Sequence, residues 1–367
     1  EKYLFDNGKC IHFRKYDEFE SMEGKKNTSG MLFKDGRLHW RGQVIQPQIR
    51  TDYDRKALKS RVKYCRIQRK PVGTKYHYYL QLVLEGKPPV KHPVGHGTAG
   101  LDIGISTAAI VTKDSCKLTV LSSDAKDHSA QIRRTQRAMD RSRRITNPDN
   151  YLPVGTVRKG ARKWIRSKHY RKLQFRKKSM ERRHADAINT GHHRLANEIA
   201  SRADTVYVEK MSFHGLARKS KSATKKTDGR FRNGKRFGRS IGNHAPAAFL
   251  KILESRLASG GGELIKIDTV NFRASQYNHV TDDYVRKKLS CRGSFVGSRY
   301  VQRDLYSAFL LKNSNDTGTA ADRQKCIDTF PMFLITHNAC MDALLAENKK
   351  YPSSFGLRSY KYHKRNC

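Results

Sequence analysis

The stretch Gly100-Leu101-Asp102-Ile103-Gly104-Ile105-Ser106, followed by Ala108-Ala109-Ile110-Val111, decides the fold of this 367-residue chain. Two apolar runs flanking a glycine predict a strand, a turn and a second strand. Asp102 stands inside the first strand, where an unpaired carboxylate is costly to bury. Gly104 lets the backbone turn beside it and opens room for a ligand. A functional carboxylate is one reading of Asp102; an aspartate held by backbone donors at a strand end is the other.

Working outward, Val206-Tyr207-Val208-Glu209 predicts another central strand. Glu209 projects from its end, where ligands collect in α/β sheets. Asp304 lies in Gln302-Arg303-Asp304-Leu305-Tyr306-Ser307-Ala308, at the start of a helix predicted over 303–312. Taken alone it suits a helix cap or a partner of the helix dipole. Between these segments the pattern predicts a helix over about 125–144, ended by Asn147-Pro148-Asp149-Asn150 and Pro153. A long basic helical region follows over about 160–203, with Ile188, Leu195 and Ile199 on one face and Gly191 as an interruption. Residues 215–243, rich in Lys, Arg, Gly and Ser, read as a flexible basic loop. A helix over 245–258 and a strand over 264–267 come next. Residues 272–300 look irregular, and Phe330, Phe333, Leu334 and Ile335 predict a C-terminal helix packed on the core.

Upstream, residues 1–97 read as β-rich. Gly36-Arg37-Leu38-His39-Trp40 is a turn entering a strand, Val62 to Ile67 alternates, and the aromatic run Tyr76 to Glu85 predicts a buried strand. A small barrel or twisted sheet is expected, followed by a linker of breakers from Gly86 to Pro93.

Charge names the partner. Lys and Arg number 75 against 33 Asp and Glu, a formal net charge of +42. No fold needs that excess, which costs self-repulsion, so a polyanion is its natural counterpart. No apolar run approaches the roughly 20 residues that span a bilayer, and no lone basic amphipathic helix suggests a membrane surface. The start Glu1-Lys2-Tyr3 carries no signal-peptide pattern. The seven cysteines are scattered and show no C-x-x-C spacing, which suits reduced thiols in an intracellular, cytoplasmic protein.

Together, three carboxylates at strand ends and a helix start, in a chain built to bind a polyanion, point to a Mg²⁺ or Mn²⁺ site formed by Asp102, Glu209 and Asp304. Two such ions roughly 3.5–4 Å apart can stabilise the attacking and leaving oxygens of a phosphodiester displacement. The three segments also resemble the three RuvC motifs of the TnpB family of transposon-encoded nucleases and of type V CRISPR effectors. Gly100-Leu101-Asp102-Ile103-Gly104-Ile105 is similar to the first motif and Val206-Tyr207-Val208-Glu209-Lys210-Met211-Ser212-Phe213 to the second. Arg303-Asp304-Leu305-Tyr306-Ser307-Ala308 is similar to the third. The resemblance spans about residues 30–313. It implies an α/β, RNase H-like RuvC core with a basic helical insertion, preceded by a wedge-type β-barrel. It also implies guide RNA and target DNA as partners and metal-dependent DNA cleavage as the activity.

Two departures stand out. The family carries a four-cysteine zinc finger before its third motif; Asn278, Thr281 and Ser294 fall where three of the thiols belong, leaving Cys291. One thiol cannot build a tetrahedral zinc site, so zinc is not expected, and His279 reads as a solvated loop residue. The family's N-terminal start and helical recognition segment are not evident before residue 30.

The expected organisation is a β-rich domain over 1–97, a nuclease core over 98–271 with the basic insertion at 125–203, a degenerate finger over 272–300, and the third motif with a helical region over 301–367. Arg133, Arg134, Arg137 and Arg141 on the first insertion helix, and Lys168, Arg171, Lys172, Arg176 and Lys177 on the next, are predicted to neutralise phosphates. Trp164, Tyr170 and Phe175 are interleaved, for base stacking or for packing. The rival to a nuclease is an inactive RNA- or DNA-binding regulator on the same scaffold. A junction resolvase is a weaker third reading, since it would need a dimer, and the sequence leaves the oligomeric state open.

Overall fold

The computed structural model describes residues 19–87, 93–125, 128–160, 163–218, 237–288, 290–347 and 349–365. The chain groups into two compact units: residues 1–91 with 127–184, and residues 92–126 with 185–367. The basic insertion is therefore divided, its larger part grouping with the β-rich segment. Most of the loop predicted over 215–243 lies outside the described residues, as do residues 1–18.

The first unit holds two three-stranded antiparallel sheets. One is ordered β1 (Ser21–Glu23), β5 (Val62–Val72), β6 (Lys75–Leu84); the other is the meander β2 (Met31–Lys34), β3 (Arg37–Trp40), β4 (Gln43–Ile45). Asp35-Gly36 joins β2 to β3 with both residues at positive φ, 52° and 73°. A two-residue hairpin needs that geometry, and Asp-Gly supplies it cheaply. Helix α1 (Asp52–Ala57) starts on a capping box between Thr51 and Asp54. No closed barrel is found among the described residues. The strand expected to be buried, β6, is largely not: Tyr78 is 69% and Tyr79 42% exposed. It is an edge strand, and the core beneath it is small, centred on Met31, Leu38 and Cys65. Helix α2 (Ser129–Thr146) and the first half of α3 (Lys168–Ala200) complete this unit.

The second unit is built on one mixed sheet. Strands β7 (Thr98–Ile103), β8 (Thr107–Val111) and β9 (Cys116–Val120) form an antiparallel meander. Strands β10 (Thr205–Glu209) and β11 (Glu263–Ile267) join it in parallel, giving the order β11-β10-β7-β8-β9. The second half of α3 leads into β10. Helices α4 (Phe213–Ala217), α5 (Gly238–His244) and α6 (Pro246–Ser259) precede β11, and α7 (Thr269–Phe272) follows it. Two hairpins come next, β12 (Tyr277–Asn278) with β13 (Asp283–Tyr284) and β14 (Gly293–Val296) with β15 (Arg299–Gln302). Helices α8 (Arg303–Lys312), α9 (Arg323–Ala346) and α10 (Leu357–Arg365) close the chain.

The two-residue period of a strand assigns the faces. Leu101, Ile103, Val206 and Val208 pack with Ile199 of α3 and with Phe249 and Leu253 of α6. The opposite face packs on α8 and α9, where Phe309 and Phe333 are buried. Gly100 and Asp102 belong to that second face, and Gly100 sets its closeness: a Cβ there would lie 1.8 Å from the Ala308 carbonyl oxygen. Helix α8 thus rests on β7 at a distance that only glycine permits. Gly191 does not interrupt α3, which is continuous through it; the missing Cβ lets Ser122 approach instead. At the C-terminus Phe333 is buried and Phe330 and Leu334 pack against the core, whereas Ile335 is 64% exposed. No described helix is long and apolar enough to cross a membrane.

Candidate active site

The sheet brings Asp102 and Glu209 together. Val208 is registered with Leu101 across the parallel pair of β10 and β7, so one residue further along each strand sets Glu209 beside Asp102. Asp304 arrives from the other direction, in the first turn of α8, the helix seated on Gly100. It is not the cap. Gln302 is, its side chain accepting a 2.7 Å hydrogen bond from the Leu305 amide. All three carboxylates are partly exposed.

The electrostatics tie Asp102 to the other two. Burial pushes the Asp102 carboxyl well above the usual range, and the charges of Asp304 and Glu209 push it further; Arg303 opposes them. Glu209 is raised by burial, against the pull of Arg303. Asp304 is also raised by burial, while a hydrogen bond from Gln302 and the charges of Arg303 and Arg292 hold it down. Arg303 thus serves all three, yet its Nη1 is buried without a hydrogen-bond partner. Asp102, Asp304, Arg292, Ser106, Thr107 and Ser354 line a cavity of about 260 Å³; Glu209 is not part of its wall.

The donors fit a hard divalent cation on this observation: Asp102 and Asp304 line one cavity, and the negative charges of Asp304 and Glu209 act on Asp102 against Arg303. They are not drawn into a finished coordination shell, since no described group of three His, Cys, Asp or Glu side chains has metal-holding geometry.

Behind Asp304 stands a chain of positioning contacts not anticipated from sequence. Gln302 donates through Nε2 to Asp304 Oδ2 (3.3 Å) and to the Ser354 carbonyl (3.2 Å). Its backbone N–H donates to Nε2 of the buried His337 (2.9 Å), whose Nδ1 faces Asn338 Oδ1 at 2.9 Å. Accepting at Nε2 and donating at Nδ1 is the neutral tautomer, and burial holds the His337 pKa down at about 4. The sequence signal available was faint: Gln302 and Arg303 flank Asp304, but nothing marks His337 as their partner.

The predicted finger segment is held by other means. Asn278 Oδ1 accepts from the Val280 amide, Thr281 Oγ1 donates to Asp283 Oδ1, and Lys287 Nζ donates to Ser294 Oγ. His279 is not a solvated loop residue. It is 1% exposed, bonded to the Tyr306 hydroxyl at 2.8 Å and packed against Phe330, and burial lowers its pKa to about 4. The tertiary contact with α8 overrides what a polar loop sequence suggests.

In the first unit, Arg133, Arg134, Arg137 and Arg141 are exposed on α2, and Lys168, Arg171, Lys172 and Arg176 on α3. Lys177 is half-buried and pairs with Glu181 at 2.8 Å. Phe175 packs edge-on against Tyr76, with centroids 5.0 Å apart, so it is a packing residue.

No protein-family model matches the chain, and no curated protein matches it. Solved structures similar to it at low identity include two Cas12f complexes. One is a cryo-EM structure of a Cas12f1–sgRNA–target DNA complex, with 16% identity and a TM-score of 0.40, covering 72% of this chain and 48% of that one. The other is a cryo-EM structure of a CRISPR-Cas12f ternary complex, with 14% identity and a TM-score of 0.29, covering 71% and 47%. This chain spans about half the length of either.

Proposed function

We infer that this chain is an RNA-guided, metal-dependent DNA endonuclease of the TnpB or type V kind. Its partners are a guide RNA and a target DNA, the kinds of nucleic acid named in the Cas12f1 complex. One observation carries the reading: three carboxylates from distant segments meet at one end of a mixed sheet, and Asp102 feels the charge of the other two. The resemblance of the three motifs and the +42 charge support it. A RuvC-type RNase H-like core and an intracellular setting belong to the same proposal.

Asp102, Glu209 and Asp304 would hold Mg²⁺ or Mn²⁺. Bound there, one or two such ions supply positive charge for the developing oxyanions of a phosphodiester displacement. The chain's own residues do the rest. Burial and the charges of Asp304 and Glu209 favour the protonated form of Asp102, and a cation bound there would favour the charged form. Gln302 fixes the orientation of Asp304, and Arg303 and Arg292 limit the repulsion that would otherwise splay the carboxylates. A mobile carboxylate would not keep a cation where charge develops.

The test is cleavage of double-stranded target DNA by protein purified with its bound RNA, with and without Mg²⁺. Metal- and RNA-dependent cutting is expected, and it should disappear in Asp102→Asn. A second reading has its own support: the Arg303 guanidinium, whose charge acts on all three carboxylates, would serve as a resident cation in an inactive binding regulator. Tight nucleic-acid binding with no metal-dependent cleavage would favour it.

A further inference from the structure

Between α2 and α3 the sequence reads as a break in two basic helices, marked by Asn147-Pro148-Asp149-Asn150 and Pro153. The structure folds this break into an ordered element of the first unit. Asn147, almost fully buried, donates to the carbonyls of Arg143 and Ile165, both at 2.9 Å, and accepts from the Ile165 amide at 2.7 Å. Asn150 donates to the Lys163 carbonyl at 2.9 Å, and Ser142 and Ser167 meet through their hydroxyls at 2.9 Å. These clamps hold the chain at 163–167 against the end of α2.

What they hold is a set of aromatic rings and guanidinium groups. Tyr151 and Trp164 meet edge to face, with centroids 5.8 Å apart. Arg143 lies 5.1 Å from the Trp164 ring centre, donates from Nε to the Tyr151 hydroxyl at 3.0 Å, and reaches Asp140 at 3.4 Å. Arg144 lies 5.5 Å from the Tyr151 ring centre. Beside them opens a cavity of about 190 Å³, lined by Arg143, Trp164, Ile165, Arg166 and Tyr170. No carboxylate lines it. Trp164 is 36% and Ile165 60% exposed, so side chains that a core would bury are presented at a mouth, and the exposed Arg144 and Lys163 stand nearby in the chain.

The geometry points to a receptor for one unpaired nucleobase of a bound strand, stacked against Trp164 and Tyr170 with its flanking phosphates toward the surrounding cations. The volume selects the ligand: pockets for drug-sized molecules begin at roughly 300 Å³, so this one takes a single planar ring system. Charge selects it too. Guanidinium groups repel cationic ligands and draw in rings that come attached to phosphate. Stacking is tolerant of sequence because every base offers a π-face. Trp164, already packed edge to face on Tyr151 and beside Arg143, loses little freedom on binding, which is what a receptor needs. The site is separate from the carboxylate cluster and does not depend on cleavage.

The test uses the chain's own fluorescence. It has two tryptophans, and in Trp40→Phe only Trp164 reports. The full chain is titrated, in chelator so that no cleavage intrudes, with a single-stranded oligonucleotide as RNA or as DNA. A strand of equal length made wholly of abasic residues is the control. The base-bearing strand should quench Trp164 as it saturates, whichever sugar it carries, and the better quencher identifies the natural source. The abasic strand should bind through its phosphates without quenching. At high salt, where phosphate contacts are weakened, Trp164→Ala should bind the base-bearing strand about tenfold more weakly than Trp164→Phe. Should Trp40→Phe not fold, the difference spectrum between the parent and Trp164→Phe gives the same signal. Equal quenching by the abasic strand, no quenching by either base-bearing strand, or equal affinity of the Ala and Phe variants would overturn the assignment.

Discussion

The carboxylate cluster of the second unit and the Arg143–Trp164 cup of the first carry opposite charge toward the polyanion proposed as the partner of both. The cluster gathers three acids whose pKa values are raised by burial, Asp102 further by its neighbours; left alone it is a strained arrangement waiting for positive charge. The cup gathers cations over rings and satisfies them internally, with Arg143 bonded to Tyr151 and placed over Trp164. One site is therefore expected to cost stability until loaded, and the other to contribute stability whether loaded or not. Chemistry and affinity can then be separated by mutation.

The largest separation is expected in cleavage. Asp102→Ala, Glu209→Ala or Asp304→Ala should each reduce the rate by roughly 10⁴-fold or more, with nucleic-acid affinity nearly unchanged. Because such groups act as a unit, the double variant should be no slower than either single one. If Asp304→Ala cuts at the parental rate, the proposed cluster is not the site. If Glu209→Ala loses binding in step with cutting, that residue holds the fold rather than a metal.

The cations come next. Arg171, Lys172 and Arg176 are exposed on α3. Replacing all three by Ala should flatten the slope of log affinity against log salt by about 2–3 units, since each phosphate contact on duplex DNA contributes about 0.9. Binding isotherms between low and moderate salt measure it. An unchanged slope would move the strand to another face.

Much of the cluster was legible and much of its support was not. Asp102 in an apolar strand and Glu209 at a strand end advertise themselves by being out of place, and Asp304 stood out once a third motif was in view. Gly100 gave no such sign, although its missing side chain is what lets α8 bring Asp304 down onto the sheet. His279 lies in a polar stretch of sequence yet is buried by contacts from distant helices, and nothing in the apolar run before His337 marks the partners it meets there. The aromatic run of β6 promised a buried strand because composition reports what a strand can cover, not what covers it. In sequence the cup reads as a helix break, since proline and asparagine mark where a helix ends but not the tertiary clamp that Asn147 forms afterwards.

A smaller effect concerns stability and its pH dependence. The folded-state pKa of Asp102 is raised, so its contribution is most favourable in acid, where the group is protonated in both states. It is lost as pH rises through the folded pKa. Asp102→Asn removes that loss. In chelator it should be more stable than the parent at neutral pH, and the difference should vanish in acid. His279 and His337 act the other way. With pKa values near 4, they weaken the fold as pH falls from the usual 6.5 toward 4. They are common to both proteins, so the parent-minus-variant difference cancels them. Thermal unfolding of both across pH measures it, and a variant that gains nothing at neutral pH would mean that Asp102 carries no such penalty.

The smallest expected effect sharpens the comparison most, because it separates holding a carboxylate in place from supplying one. Gln302 caps α8 through Oε1 and donates to Asp304 through Nε2. Gln302→Ala loses both roles and should cost about 1 kcal/mol from the cap, with a several-fold slower cleavage. Gln302→Glu keeps an acceptor for the Leu305 amide but places a second negative charge against Asp304, so it should retain most of the cap and cleave more slowly than the Ala variant. A purely structural Gln302 predicts the opposite order, with Ala the worse variant in both unfolding and cleavage. Magnesium titrations add a second axis. Extra negative charge should raise the Mg²⁺ affinity of the Glu variant while its rate falls, because the added carboxylate draws the cation without aligning it. Neither loss should appear in oligonucleotide affinity or in Trp164 fluorescence.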